Sequence, residues 1–190
     1  MHTNLRQFIE TLRKENQIVE IEAEVDPYLE LAEIHRRVID AEGPALLFKR
    51  VKGSAFPVVT NLFGTRRRVD LAIGPKPEET VRRAVSALGR LLPPKPSVLW
   101  QEKEWMLSLA KSGLRTVDPK HAPVLEIQGR SVDLTRLPVL TSWPEDGGPF
   151  VTLPLVYTEH PVTGEHNLGM YRIQIHGPNQ TGIHLSLIHI

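Results

Sequence analysis

The sequence predicts an α+β chain in two parts, on three observations. Helical and strand periodicities alternate as far as Pro93-Pro94; after Gly113 the texture changes to short apolar runs cut by proline and glycine; and the turn signals His160-Pro-Val-Thr-Gly164 and His176-Gly-Pro-Asn-Gln180 separate consecutive strands, as in a small barrel or sandwich. The expected arrangement is an α/β domain with a connecting helix over residues 1–112, then a β domain over residues 113–190.

Leu5, Phe8, Ile9 and Leu12 recur at helical spacing behind Asn4, a good N-cap, and predict a first helix. Val19, Ile21, Ala23 and Val25 then alternate with Glu20, Glu22 and Glu24, the period-two signature of a strand with one wet face. Asp26-Pro27 supplies a cap and a first-turn proline for a second helix through Leu31, Ile34 and Val38, which stops before Gly43-Pro44. Strands are expected at Ala45 to Phe48 and Pro57 to Leu62, and a third helix carries Val81, Ala84, Val85 and Leu88 on one face. Ser97 to Lys111, with Trp100, Trp105, Met106 and Leu109, reads as one more helix. Val124 to Ile127, Leu137 to Leu140, Thr152 to Thr158 and Leu168 to Ile175 read as strands.

Composition narrows the function classes. With 190 residues, 41% apolar and 24% charged, the chain is globular in texture, and one large or two small domains are expected. A net charge of +1 provides no general field for nucleic acid, and the basic run Arg66-Arg67-Arg68 reads as a solvated turn or an anion clamp. Cysteine is absent, which removes disulfides, thiolate catalysis and zinc-thiolate sites. No signal-peptide core opens the chain and no apolar stretch reaches membrane-spanning length. Neither a phosphate-binding glycine fingerprint nor a Gly-x-Ser-x-Gly elbow is present.

The chemistry-bearing residues gather late. Five of eight histidines follow Glu159, but their spacing fits no helical zinc pair, and by pattern none is assigned to a metal. The run Asn167-Leu-Gly-Met-Tyr-Arg172, preceded by the loop Asp146-Gly-Gly-Pro-Phe150, is more specific. On a regular strand Asn167, Gly169 and Tyr171 share one face, and Leu168, Met170 and Arg172 the other. By pattern alone the run reads first as an ordinary hairpin strand and second as a loop-to-strand corner for an anionic ligand, where glycine allows close approach and arginine grips an oxyanion.

Taken together, Leu5-Arg-Gln-Phe-Ile-Glu10, Ala45-Leu-Leu-Phe48, Val59-Thr-Asn-Leu-Phe-Gly64, Leu137-Pro-Val-Leu140 and Asn167 to Arg172 resemble, in order and over nearly the whole chain, the UbiD family of reversible decarboxylases. The resemblance implies that the β part is the start of a split β-barrel that binds flavin, left incomplete here. It implies a prenylated FMN cofactor delivered by a flavin prenyltransferase, a divalent metal, usually manganese (Mn2+), and a monovalent cation such as potassium (K+) bridging the cofactor phosphate to the protein. Asn167 matches the family's metal ligand; Met170, Tyr171 and Arg172 match the segment lining the flavin; Arg172 matches the catalytic arginine; and His184 matches the start of a second cofactor-contacting strand.

The implied parent is a homo-oligomeric cytoplasmic carboxy-lyase, peripheral to the membrane at most. Its implied substrate is an aromatic or α,β-unsaturated carboxylic acid, with a polyprenyl-4-hydroxybenzoate of ubiquinone biosynthesis as the leading candidate. A non-catalytic flavin-binding or assembly module is the alternative. The pattern departs from the family after His184: Ile188 stands where the second metal ligand is expected, and His189 sits one place late, on the opposite strand face. A truncated gene model is therefore expected. With the proton donor and remaining ligands beyond residue 190, this chain alone should be inactive.

Overall fold

The computed structural model describes residues 2–74, 76–91, 100, 103, 107, 117–126, 128–129 and 132–184, with residues 76, 77, 80 and 87–91 described by backbone alone. These fall into two compact units, residues 1–72 with 131–190 and residues 73–130.

The first unit opens with a helix and a crossover motif. In α1 (Leu5–Lys14) the Asn4 side chain accepts from the Gln7 backbone N–H at 3.0 Å, satisfying one orphan donor of the first turn. Its inward face, Phe8 and Leu12, packs with Ala45, Ile18, Leu62 and Leu71. Strand β1 (Ile18–Val25) runs parallel to β2 (Ala45–Val51), joined by α2 (Glu30–Asp40), while β3 (Val58–Thr60) lies antiparallel to β2. Such a crossover buries one helix face on the sheet. Val25, Leu31, Leu46, Phe48 and Val51 form that core, with Ile34, Val38 and Leu140 packed against it.

Three local expectations change. In β1 the wet and dry faces are not clean, because pairing slips between Ile21 and Glu24; Val19 is 49% exposed, whereas Glu20 is drawn between Lys49 at 2.5 Å and Arg13 at 2.6 Å. Those two cations hold the Glu20 carboxyl below its usual range. Helix α2 begins at Glu30, not at Pro27, since the Asp26 carboxylate accepts from the Tyr28 N–H at 2.8 Å and Leu29 turns to φ +64°. The basic run is not a turn: it opens α3 (Arg66–Ile73). There Arg66 pairs with Asp70 one turn on, Arg67 with Glu15, and Arg68 is buried.

The run Val59 to Gly64 acts as a lock. Asn61, buried and at φ +56°, donates through Nδ2 to the carbonyls of Gly43 and Pro44 at 3.0 and 2.9 Å. A Cβ on Gly64 would stand 1.8 Å from Asn61 Oδ1 and 2.9 Å from Arg68 Nη2, so glycine is required at that close approach. Asn61→Ala is expected to lower the unfolding free energy by about 2 kcal/mol, because two half-buried carbonyls lose their donor. A urea midpoint equal to that of the parent chain would show that the amide bonds contribute nothing net.

The later half of the same unit is two antiparallel sheets: β4 (Phe150–Val151) with β7 (Ile173–Gly177) and β8 (Gln180–Ile183), and a ribbon of β5 (Leu155–Glu159) with β6 (His166–Met170). Among the described residues no closed barrel forms. Leu137 to Leu140 is not a strand: within it Leu140 alone makes a bridge, to Phe150. Pairing lapses after Val151 and resumes at Leu155, past Pro154, which has no N–H to give. This half is tied to the first by Leu29 N–H to Thr141 O at 3.0 Å, Thr141 N–H to Pro27 O at 3.2 Å and Ser54 Oγ to Arg136 O at 2.8 Å. On the ribbon, the cross-strand pairs Leu155–Met170 and Tyr157–Leu168 are all exposed, which a two-stranded ribbon alone cannot remedy.

In the second unit α4 (Lys76–Leu91) confirms the third expected helix, with Val81 and Val85 exposed. The expected strand at Val124 is replaced by a 3-10 turn at Pro123–Leu125, where proline at the first position removes a ladder donor. Of the Trp-rich segment, Trp100, Lys103 and Leu107 are helical. Its remainder, the boundary residues Pro93, Pro94 and Gly113, and the tail from Leu185 with Ile188 and His189 lie outside the described residues.

Candidate cofactor cleft

Asn167 and Arg172 do not share a strand. Strand β6 keeps regular register with β5 as far as Met170, so no bulge occurs at Gly169; the chain then leaves the ribbon at Tyr171-Arg172 and enters the other sheet at Ile173. The two residues between strands therefore form a corner, freed from pleat alternation. Met170, Tyr171, Arg172 and His184, four of the five residues singled out in the sequence, line one cleft of about 650 Å³, together with Phe150, Gln174 and His176.

Asn167 is not on the cleft wall. Its Nδ2 donates to Tyr171 Oη at 3.2 Å, which turns the amide Oδ1 away as the remaining acceptor. Gly169 makes that bond possible, because a Cβ there would meet the Tyr171 ring at 2.5 Å. The ring thus lies over a glycine, linking Asn167 to the cleft.

Arg172 lies with its guanidinium carbon 4.4 Å from the Phe150 ring centroid, and Nη1 stands 3.6 Å from Asp146 Oδ1. The Asp146 side chain is 13% exposed and that of Arg172 55%. A flat cation on an aromatic face, steered by one carboxylate, keeps donors available to an oxyanion. The loop that supplies Asp146 is fixed by Gln174, whose Nε2 donates to Gly147 O at 2.6 Å; a side chain at Gly147 would meet that amide at 3.0 Å. Reading the sequence did not assign Asp146, Phe150 or Gln174 to the site, although the glycine-rich loop itself carried the signal. Among the described residues no group of three or more His, Asp or Glu converges as a metal site.

The fold and this corner define a class: an α/β crossover domain leading into a split sheet whose strand-switch point presents an arginine to a cleft. The family model described as the 3-octaprenyl-4-hydroxybenzoate carboxy-lyase N-terminal domain matches residues 9–88, and that for the Rift-related domain of the same enzyme matches residues 115–190. The chain belongs to this family, the UbiD carboxy-lyases. It is 48% identical over 185 residues to an uncharacterized protein of Chlamydia caviae, covering 97% of this chain and 31% of that protein. It is 46% identical to a protein of Chlamydia pneumoniae named as a subunit of 4-hydroxybenzoate decarboxylase, covering 96% and 31%.

Among solved structures, it resembles the UbiD-class enzyme HmfF of Pelotomaculum thermopropionicum in complex with prFMN, with TM-score 0.75, 28% identity, and coverage of 98% of this chain and 39% of that one. It also resembles the closed form of vanillic acid decarboxylase from Sedimentibacter hydroxybenzoicus, with TM-score 0.72, 25% identity, and coverage of 96% and 37%. The chain spans about a third of the length of the curated relatives it matches.

Proposed function

We propose that this chain supplies the arginine corner of a prenylated-FMN-dependent decarboxylase acting on an aromatic or α,β-unsaturated carboxylic acid, with a polyprenyl-4-hydroxybenzoate of ubiquinone biosynthesis as the leading substrate. The observation that carries this reading is the convergence of Met170, Tyr171, Arg172 and His184 on one cleft. The residues present fit a flavin: Gly182 and the Gly147-Gly148 loop keep the backbone bare beside the cleft-lining His176 and Gln174, and Arg172 offers a fixed cation to an anionic group. When bound, the flavin would take up the electron pair left as carbon dioxide departs.

The chain's own residues would bind and orient. Arg172 would hold the substrate carboxylate bidentately, Phe150 would support the guanidinium plane, and Asp146 would set its direction. Asn167 would give Oδ1 to a divalent cation such as manganese, with potassium beside the cofactor phosphate. One amide oxygen does not by itself make a metal site. A flavin prenyltransferase would supply the cofactor, and a homo-oligomer in the cytoplasm, peripheral to the membrane at most, is the assembly proposed. No described helix is long and apolar enough to cross a membrane.

The test is Asn167→Ala in a protein of the relatives' full length. Flavin absorbance surviving gel filtration should fall about tenfold, since the Tyr171 anchor and an oxygen ligand are lost together. Retention equal to that of the unsubstituted protein would remove Asn167 from cofactor binding.

A further inference from the structure

Gln174 lines the flavin cleft and is held at one end of its amide only. On β7 it stands opposite Phe150, whose ring supports Arg172, and the loop that carries Gly147 and Gly148 lies over its side chain. Gln174 Nε2 donates to Gly147 O at 2.6 Å; a Cβ on Gly147 would stand 3.0 Å from that nitrogen, and one on Gly148 3.4 Å from it. A carbonyl can only accept, so this bond decides which way the amide lies. The nitrogen faces the loop, and Oε1 is left over as an acceptor.

That oxygen has no hydrogen-bond partner among the described residues, and it does not belong to the buried atoms that lack one, so it is open to solvent. The other polar side chains of the cleft offer something different. Arg172 donates only, the Tyr171 hydroxyl already accepts from Asn167, and His176 and His184 accept only at whichever ring nitrogen lacks a proton. No carboxylate lines the cleft. Gln174 Oε1 is therefore a fixed, neutral side-chain acceptor in a cleft otherwise furnished with donors and with groups that can act either way.

We propose that Gln174 Oε1 accepts from the imide N3–H of the flavin ring and so reads that edge of the cofactor, an inference that rests on the flavin reading above. An oxidised isoalloxazine carries several acceptors, its two carbonyl oxygens and the ring nitrogens N1 and N5, but a single donor, N3–H. Burying that donor without an acceptor would be costly, and Gln174 supplies one that is already aimed. A carboxylate would serve less well in this place, because the Gly147 carbonyl that orients the amide would repel it. The Gly147 bond also fixes the side chain before the flavin arrives, which spares the entropy of ordering it on binding.

The experiment follows flavin fluorescence on titrating FMN, and separately N3-methyl-FMN, into flavin-free protein of the relatives' full length. The methylated flavin keeps the ring and loses the donor. FMN is expected to bind about tenfold tighter, since N3-methyl-FMN leaves Oε1 unpaired. In Gln174→Met, close in size to glutamine but without an amide, and in Gln174→Ala, which leaves room for the methyl group, the ratio should fall to near one. A loosened Gly147 loop would weaken both flavins alike, so the ratio reads the hydrogen bond and not the loop, and circular dichroism checks that each variant is folded. Equal affinities in the unsubstituted protein, or a tenfold ratio persisting in either folded variant, would overturn the proposal and leave the flavin reading standing. Failure of FMN itself to bind would overturn both.

Discussion

Arg172→Lys, in a protein of the relatives' full length, is expected to lower kcat/KM for its carboxylic acid on the order of 100-fold while leaving flavin retention within about twofold. Lysine keeps the charge but loses the plane that rests on Phe150 and the fork that can grip two carboxylate oxygens at once. Asp146, 3.6 Å from Nη1, would then face a mobile point charge, so orientation is lost before attraction is. Steady-state carbon dioxide release, read beside flavin absorbance, separates the two effects. Turnover equal to the unsubstituted enzyme would remove Arg172 from the chemistry. Equal loss of flavin and turnover would make it a cofactor ligand alone. A flavin-holding module without catalysis predicts bound flavin and no carbon dioxide release from either protein.

The second large effect is expected at Gly169. A valine there places its Cβ 2.5 Å from the Tyr171 ring, and β6 cannot retreat because Gly169 is paired with Val156 in regular register. The ring must leave, and the bond from Asn167 Nδ2 to its hydroxyl goes with it. Flavin retention should fall on the order of tenfold, comparable with Asn167→Ala, because both substitutions break the same link. The double variant should be little worse than either single one. Gly177→Ala is the control, since nothing lies within 4 Å of a Cβ at that position. Retention unchanged in Gly169→Val would show that the tyrosine does not anchor the cleft.

The crossover domain was legible in the sequence because its elements are periodic and their ends are chemically marked. Asn4 caps α1 as its side chain requires, and Gly43-Pro44 stops α2. The start of α2 was misread because the Asp26 carboxylate has two possible uses, and tertiary pairing of Pro27 and Leu29 with Thr141 selects the turn. The turn reading of the basic run failed because charge suggests solvent, while Arg68 is buried in a helix with its Nη2 close to Gly64. Four of the residues singled out by motif line one cleft, but its geometry was not legible, since a strand that changes sheets at Tyr171-Arg172 looks in sequence like one strand that continues. Periodicity carries no information on which partner a strand takes.

The most direct test of the central claim is a crystal structure of the full-length protein grown with FMN. The isoalloxazine is expected in the cleft at the β6–β7 corner, in contact with Met170, Tyr171 and His184, with the Arg172 guanidinium beside it on Phe150. A flavin bound elsewhere, touching none of these four residues, would contradict the account.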